Sequence, residues 1–158
     1  MIEIMSDELG SLLEGLPGRE CRLAAGSTVF RRDDPVRVMH FVQRGTIHLV
    51  RRQKDGAALI LQRARPGSIL AEASVYSDHC HCDAVAESDA ALWAIAQKDF
   101  RRRLEAAPQF GGIWARHLAH EVQRTRLHAE ILSLKTAARA AHGPVSSLAL
   151  CQRLHAGG

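Results

Sequence analysis

Apolar residues between positions 21 and 96 fall in short runs separated by turn residues, a pattern that predicts β-strands. The turn signals include DDP at 33–35, KDG at 54–56 and PG at 66–67. The predicted strands cover residues 28–30, 38–42, 46–50, 58–61, 68–70, 85–86 and 91–96. About seven or eight short strands at this spacing favour a barrel or jelly roll over a parallel sheet.

After residue 96 the apolar period lengthens to that of a helix. Residues 97–106 predict a short amphipathic helix, and residues 109–141 predict one long helix. A further short helix is expected at 6–13, where Ser6 can cap the first turn. The predicted fold class is mostly β with α: a double-stranded β-helix or jelly-roll barrel, flanked by short helices and followed by a long C-terminal helix.

The predicted long helix is far longer than the typical helix of about 11 residues, so it needs a partner. One interpretation is a dimer seam, in which two copies bury each other's apolar stripe. The residues at coiled-coil spacing are Leu118, Val122, Thr125, Ala129, Leu132 and Thr136. The alternative is a helix laid along its own barrel. The expected division is a barrel at 1–108, a dimerisation helix at 109–141 and a short tail at 142–158.

Composition fits a soluble globular chain of 158 residues, of which 46% are hydrophobic and 24% charged. The net charge of +4 and the pI of about 9.2 permit contact with nucleic acid but do not require it. No apolar run approaches the roughly 20 residues that span a bilayer, and the N-terminus lacks the pattern of a signal peptide. We therefore expect a cytoplasmic location and no membrane partner.

Three segments and the long helix together resemble the regulatory domain of the CRP/FNR family of bacterial transcription factors. The segments are FVQRGTIHLV, with Gly45 at its turn, KDGAALILQRARPGSILAEASVY and ALWAIAQKDFRRRL. The resemblance covers about residues 6–139. It implies a ligand-sensing domain with an unknown small-molecule effector, forming a homodimer through the long helix. It also implies that DNA is contacted through a helix-turn-helix domain, for which the tail at 142–158 is too short.

The resemblance also implies a ligand pocket. Its candidate residues are Gly67, Ala71, Glu72, Ala73, Cys82 and Asp83. Family members that bind cyclic AMP carry Gly-Glu-Leu, with Arg-Ser ten residues after the glutamate. Glu72 retains the carboxylate that holds the ribose, but Cys82 stands at the arginine position and Asp83 follows it. A charge-assisted hydrogen bond contributes about 1.5–3 kcal/mol, and Asp83 adds a like charge. We therefore expect no tight binding of cyclic AMP unless Arg63 or Arg65 substitutes.

Four soft or borderline metal ligands follow one another at His79, Cys80, His81 and Cys82. An extended segment would place the two histidines on one side and the two cysteines on the other. Either pair could hold a metal ion, with further ligands from His40, His48 or a second protomer. Haem ligation and a redox-sensing thiol are further interpretations. The competing one is that the cysteines fill apolar space while the histidines face water.

The leading function is a regulatory sensor and not an enzyme. A cupin-like metalloenzyme is the catalytic alternative, since small barrels of this shape can hold a metal between histidines and a carboxylate. His40, His48 and Glu72 are the residues that it would use. A third class is an interaction protein that forms mixed dimers through the long helix alone.

Overall fold

The computed structural model describes residues 9–53, 56–70 and 72–141, and side chains as far as residue 135. Residues 9–13 are helical, which agrees with the second half of the predicted N-terminal helix. The predicted tail at 142–158, the pocket residue Ala71 and the side chain of Thr136 lie outside the described residues.

Two four-stranded antiparallel sheets form the barrel, with strand orders β1-β8-β3-β6 and β2-β7-β4-β5. The strands are β1 (Gly18–Leu23), β2 (Thr28–Phe30), β3 (Val38–Arg44), β4 (Ile47–Arg52), β5 (Ala58–Ala64), β6 (Ile69–Leu70), β7 (Asp83–Ala86) and β8 (Ala90–Ala96). This confirms the predicted antiparallel β-roll. The sequence did not predict β1, whose GRECRL segment contains no apolar run.

Two helices follow the barrel, α1 (Gln97–Ala106) and α2 (Pro108–Ala141). Both agree with the predicted helical periods, and α2 begins at Pro108, one residue before the predicted start. Proline suits the first turn of a helix because its missing N–H would have no partner there. The chain divides into two compact units, one ending at Ala119 and the other beginning at His120. Of the helices in the described part of the chain, none is long and apolar enough to cross a membrane.

Alternation along the strands separates two apolar cores. The first fills the barrel with side chains from both sheets, namely Val42, Ile47, Leu49, Ala64, Leu70, Ala84, Ala86, Ala90 and Leu92. Because side chains alternate along a strand, Ile47 and Leu49 of β4 face inward beside their partners Ala86 and Ala84 of β7. The β4–β7 register therefore determines which residues of β4 and β7 face the inside of the barrel together.

The second core lies on the outer face of the sheet that contains β3 and β8. Met39 and Ile95 of that sheet pack with Leu12, with Phe100 of α1 and with Trp114 of α2. The rings of Phe100 and Trp114 meet edge to face, with their centroids 5.2 Å apart. This core joins the barrel to both helices within the first compact unit.

Gly45 forms the turn between β3 and β4 in a backbone conformation that favours glycine, with φ of 85°. A Cβ atom there would lie only 2.4 Å from the carbonyl oxygen of Asp89 and 2.8 Å from Ala90. The glycine that the sequence placed at this turn is therefore required by both conformation and space.

Candidate ligand-binding site

The candidate pocket is built on the segment from Gly67 to Asp83, called here the cassette. Gly67 adopts a left-handed conformation, with φ of 90°, and donates its N–H to the carbonyl oxygen of Val42 at 2.9 Å. The short strand β6 follows, and then a 3-10 turn over Glu72–Ser74. The glycine turn therefore delivers Glu72 directly after a strand that pairs with β3.

Gln97, the first residue of α1, fastens the middle of the cassette. Its side-chain Nε2 lies 3.3 Å from the carbonyl oxygen of Ser74, 3.0 Å from that of Val75 and 3.1 Å from that of Ser77. Its own N–H donates to the carbonyl oxygen of Arg37 at 2.9 Å. One side chain thus ties the cassette to the start of the helical region.

Backbone hydrogen bonds anchor the later part of the cassette to the segment before β3. The N–H of Val36 donates to the carbonyl oxygen of Asp78 at 2.8 Å. Cys80 donates its N–H to the carbonyl oxygen of Asp34 and accepts from the N–H of Asp33, both at 2.9 Å. The segment at 78–80 is therefore held like a short strand.

The two cysteines fill apolar space, as the competing interpretation predicted. Cys80 is only 5% exposed and belongs to the core beneath the helices, whereas Cys82 is half-buried against the core inside the barrel. His79 and His81 are exposed, and Nε2 of His81 lies 3.2 Å from the hydroxyl of Ser77. The expected extended geometry is wrong, because the backbone bends at residues 81 and 82.

Burial also sets the protonation of these thiols. It raises the pKa of Cys80 to about 11, and Asp34 and Cys82 add to the effect. Burial likewise raises the pKa of Cys82, although the positive charge of Arg51 opposes the rise. Both thiols are therefore protonated at neutral pH, whereas a redox-sensing cysteine needs a lowered pKa.

The histidines that the sequence nominated as extra metal ligands lie apart from this loop. His40 lies on β3, with its ring centroid 6.1 Å from that of Phe30, and burial with nearby Arg19 lowers its pKa to about 4. His48 lies on the other sheet, where its Nδ1 is 3.2 Å from a carboxylate oxygen of Glu87. Within residues 9–53, 56–70 and 72–141, no group of three or more His, Cys, Asp or Glu is placed to hold a metal ion.

Asp83 has a structural role in the wall of the barrel. One carboxylate oxygen accepts the backbone N–H of Arg32 at 2.7 Å, and the other lies 3.4 Å from Nε of Arg52. The side chain is 18% exposed. Its charge is therefore largely compensated by its neighbours, and it opposes an anion in the pocket less than the sequence suggested.

The two arginines that the sequence proposed as substitutes are not directed to the pocket by their strand. Arg63 of β5 pairs with His48, on the face opposite to the inward Ile47 and Leu49. Arg65 is exposed beyond the end of β5. The sequence did not identify Arg51, which reaches the cassette and donates from Nη2 to the carbonyl oxygen of His81 at 3.1 Å. This contact joins two segments that are 30 residues apart in the sequence. It depends on the pairing of β4 with β7, which no local sequence pattern shows.

The long helix carries exposed apolar residues on two opposite faces of its second half. Val122 and Leu132 belong to the predicted seam and are 49% and 59% exposed. At 3.6 residues per turn, a second stripe lies on the opposite face. It consists of Leu127, Ile131 and Leu134, which are also exposed. Leu118, at the start of the predicted seam, already packs partly against the core of its own protomer.

Comparison with known proteins gives a consistent family and fold. The model of the cyclic nucleotide-binding domain matches residues 20–107, more than half of the chain. A sequence comparison with curated proteins gives no significant match.

Solved structures with a similar fold include several regulators. The catabolite activator protein of Thermus thermophilus is 23% identical, with a TM-score of 0.65 over 80% of this chain and 59% of its own. The sensor domain of the regulator DNR from Pseudomonas aeruginosa is 23% identical, with a TM-score of 0.59 over 82% of this chain and 93% of its own. The c-di-GMP-responsive regulator CLP of Xanthomonas campestris is 16% identical, with a TM-score of 0.64 over 90% of this chain and 73% of its own.

The chain thus spans about 59% of the length of the Thermus protein. At these identities the structural likeness establishes the fold, and the family rests on the domain model. The two-sheet roll, the glycine-led cassette with Glu72 and the match over residues 20–107 agree with one another. The chain belongs to the cyclic nucleotide-binding domain family.

Proposed function

We propose that this chain is the ligand-sensing regulatory domain of a CRP/FNR-like transcription regulator that does not respond to cyclic AMP. The observation that carries the proposal is the neutral, half-buried Cys82 at the position of the family arginine, in a cassette that keeps Glu72. A cyclic phosphate there would lack the charge-assisted hydrogen bond that usually holds it.

The regulatory part of the proposal draws on the neighbours in structure. Among them are a catabolite activator protein and the sensor domain of a transcriptional regulator. The first is an activator protein and the second is part of a transcriptional regulator. We therefore assign this chain a regulatory role, with DNA contacted through a helix-turn-helix domain that is not part of the described residues.

The contacts around the cassette suggest how a ligand would act. Val75 and Cys80 belong to the same core as Phe100 of α1 and Trp114 of α2, and Gln97 fastens the cassette to α1. A ligand that binds better to one arrangement of the cassette would favour the matching arrangement of these helices. Signalling would then be a shift between two populated states.

The active unit in this proposal is a homodimer formed through α2. The exposed apolar residues between Val122 and Leu134 are difficult to explain for a lone helix in water. A dimer would cover either the predicted seam, which includes Leu132, or the opposite stripe, which includes Leu134. Two protomers related by a two-fold axis would bury the same stripe from each copy.

The alternative is a metal-, haem- or redox-sensing module that uses His79–Cys82. An absorption spectrum and elemental analysis of protein purified without chelator test it, since a Soret band or a stoichiometric transition metal would favour this alternative. A metal held by His40, His48 and Glu72 would instead revive the cupin-like metalloenzyme. Mixed dimers with a full-length relative would favour the interaction-protein alternative.

A thermal denaturation series tests the proposal directly. A ligand that binds only the folded state raises the midpoint, by an amount that grows with its concentration over its Kd. We expect no shift with millimolar cyclic AMP. A shift that increases with cyclic AMP concentration would overturn the proposed lack of response.

A further inference from the structure

The β4–β7 register places Arg51 directly beside the position of the missing arginine. The paired residues run from Ile47 with Ala86 to Val50 with Asp83. Arg51 follows Val50 at the end of β4, and Cys82 precedes Asp83 at the bend, so the two residues adjoin the last pair of this register. Arg51 itself is exposed.

The side chain of Arg51 is exposed and reaches the backbone of the cassette. Its Nη2 donates to the carbonyl oxygen of His81 at 3.1 Å, and His81 immediately precedes Cys82. A guanidinium has five N–H donors, so a single bond to a carbonyl leaves donors for a ligand. The charge therefore lies next to Cys82 but comes from the neighbouring strand.

The surroundings of Arg51 favour an anionic ligand group. Burial raises the pKa of Cys82 most, and among the charged groups Arg51 has the largest effect and lowers it, ahead of Asp83 and Glu72, which raise it. The thiol stays protonated and does not compete as an anion. Asp83, the other nearby carboxylate, is occupied by Arg52 and by the N–H of Arg32.

We propose that Arg51 anchors an oxyanion group of a small ligand in this cassette, replacing from β4 the arginine that is missing at Cys82. The inference rests on the proposed sensor function and names the chemistry that its pocket accepts: a phosphate or carboxylate group at Arg51. An anion bound by Arg51 lies nearer to β4 than an anion bound by an arginine at residue 82 would. Arg52 and Arg63 do not take this role, because Arg52 pairs with Asp83 and Arg63 lies on the outer face.

Alkylation of Cys82 gives a local readout of an anion at Arg51. Folded protein would be treated with iodoacetamide at mildly alkaline pH, with increasing inorganic phosphate or acetate and the ionic strength held constant with sodium chloride. Mass spectrometry would follow Cys82 separately from the other cysteines. We expect at least one of the two anions to slow its alkylation in a saturable way, and which one acts identifies the oxyanion.

Arg51→Gln removes the charge and should weaken this protection about tenfold or more, where tenfold corresponds to about 1.4 kcal/mol. Arg51→Lys keeps the charge and should retain part of it. Arg63→Gln, an exposed change on the opposite face of the same hairpin, is the matched control and should leave protection unchanged. Circular dichroism would confirm that each variant is folded.

Absence of protection by both anions in the native protein, or equal protection in Arg51→Gln, would overturn the assignment. The result is independent of the oligomeric state and of cyclic AMP. A native dimer that ignores cyclic AMP but shows no anion protection would therefore contradict this inference alone, and not the proposed sensor function.

Discussion

Asp83 accepts the backbone N–H of Arg32 at 2.7 Å and so joins the first residue of β7 to the segment after β2. The same carboxylate lies 3.4 Å from Nε of Arg52. An acidic residue that by sequence would repel a ligand phosphate thus serves mainly to fix the wall of the barrel.

Asp83→Ala is therefore expected to lower the free energy of unfolding by about 1 kcal/mol, because it removes the charged acceptor of a backbone hydrogen bond. Urea denaturation followed by circular dichroism measures the change. Asp78→Ala is the control, since the side chain of Asp78 is exposed, and should change stability by no more than about 0.5 kcal/mol. Equal losses of unfolding free energy in both variants would argue against a structural role of Asp83 in the barrel.

The decrease in the free energy of unfolding at acid pH should depend on His40. Its pKa is about 4 in the folded protein and 6.5 in the unfolded chain, so the unfolded state takes up the proton first as pH falls. Its contribution is fully present above pH 6.5 and is lost progressively as pH falls toward 4. The loss amounts to at most about 3 kcal/mol.

The comparison of His40→Gln with His79→Gln isolates this effect. Removing His40 should flatten the pH dependence of the free energy of unfolding between pH 6.5 and 4. Removing the exposed His79 should not. An unchanged slope in His40→Gln would show that another group causes the acid dependence.

The cysteines of the cassette should react slowly in the folded protein. Alkylation requires the thiolate, and burial raises the pKa of Cys80 to about 11 and that of Cys82 above its ordinary value. At neutral pH we expect Cys80 to be alkylated at least about tenfold more slowly than in urea-unfolded protein, since each pKa unit removes tenfold of the thiolate. Cys82 should also be alkylated more slowly than in the unfolded protein. Rapid modification of Cys82 in folded protein would instead favour the redox-sensing alternative.

A glutamate introduced on the face of α2 that forms the dimer interface should dissociate the dimer. Leu132→Glu lies on the predicted seam and Leu134→Glu on the opposite stripe, and both residues are exposed in the single chain. Burying a carboxylate in a dimer interface is costly, whereas a solvent-facing one is not. We expect one variant to sediment as a monomer and the other as a dimer, which identifies the stripe that forms the interface. A native monomer, or dimers in both variants, would contradict a dimer formed through this helix.

The fold was predictable where local pattern and tertiary structure agree. The change from short apolar runs to a helical period correctly placed α1 and the start of α2. The strand β1 was missed because only Cys21 and Leu23 of this segment pack against the barrel core, and they do not form an apolar run. Its strand conformation depends on pairing with β8, more than 60 residues away in sequence.

The candidate site was predictable only in part for the same reason. The spacing between Glu72 and Cys82 lies within one segment, so the sequence shows the lost arginine. Arg51 comes from another strand, and its approach to His81 depends on a long-range register. The bend at residues 81 and 82 likewise sends Cys80 and Cys82 to different cores, which a regular extended segment would not do.

Calorimetric titration with cyclic AMP tests the central claim most directly. The native protein should give no saturable heat, because Cys82 supplies no charge to the cyclic phosphate and the guanidinium of Arg51 lies one strand away from the position that would hold it. Cys82→Arg is the companion variant that restores a guanidinium at residue 82. Saturable binding that appears only in Cys82→Arg would assign the lack of response to this residue. Micromolar affinity in the native protein would contradict the account.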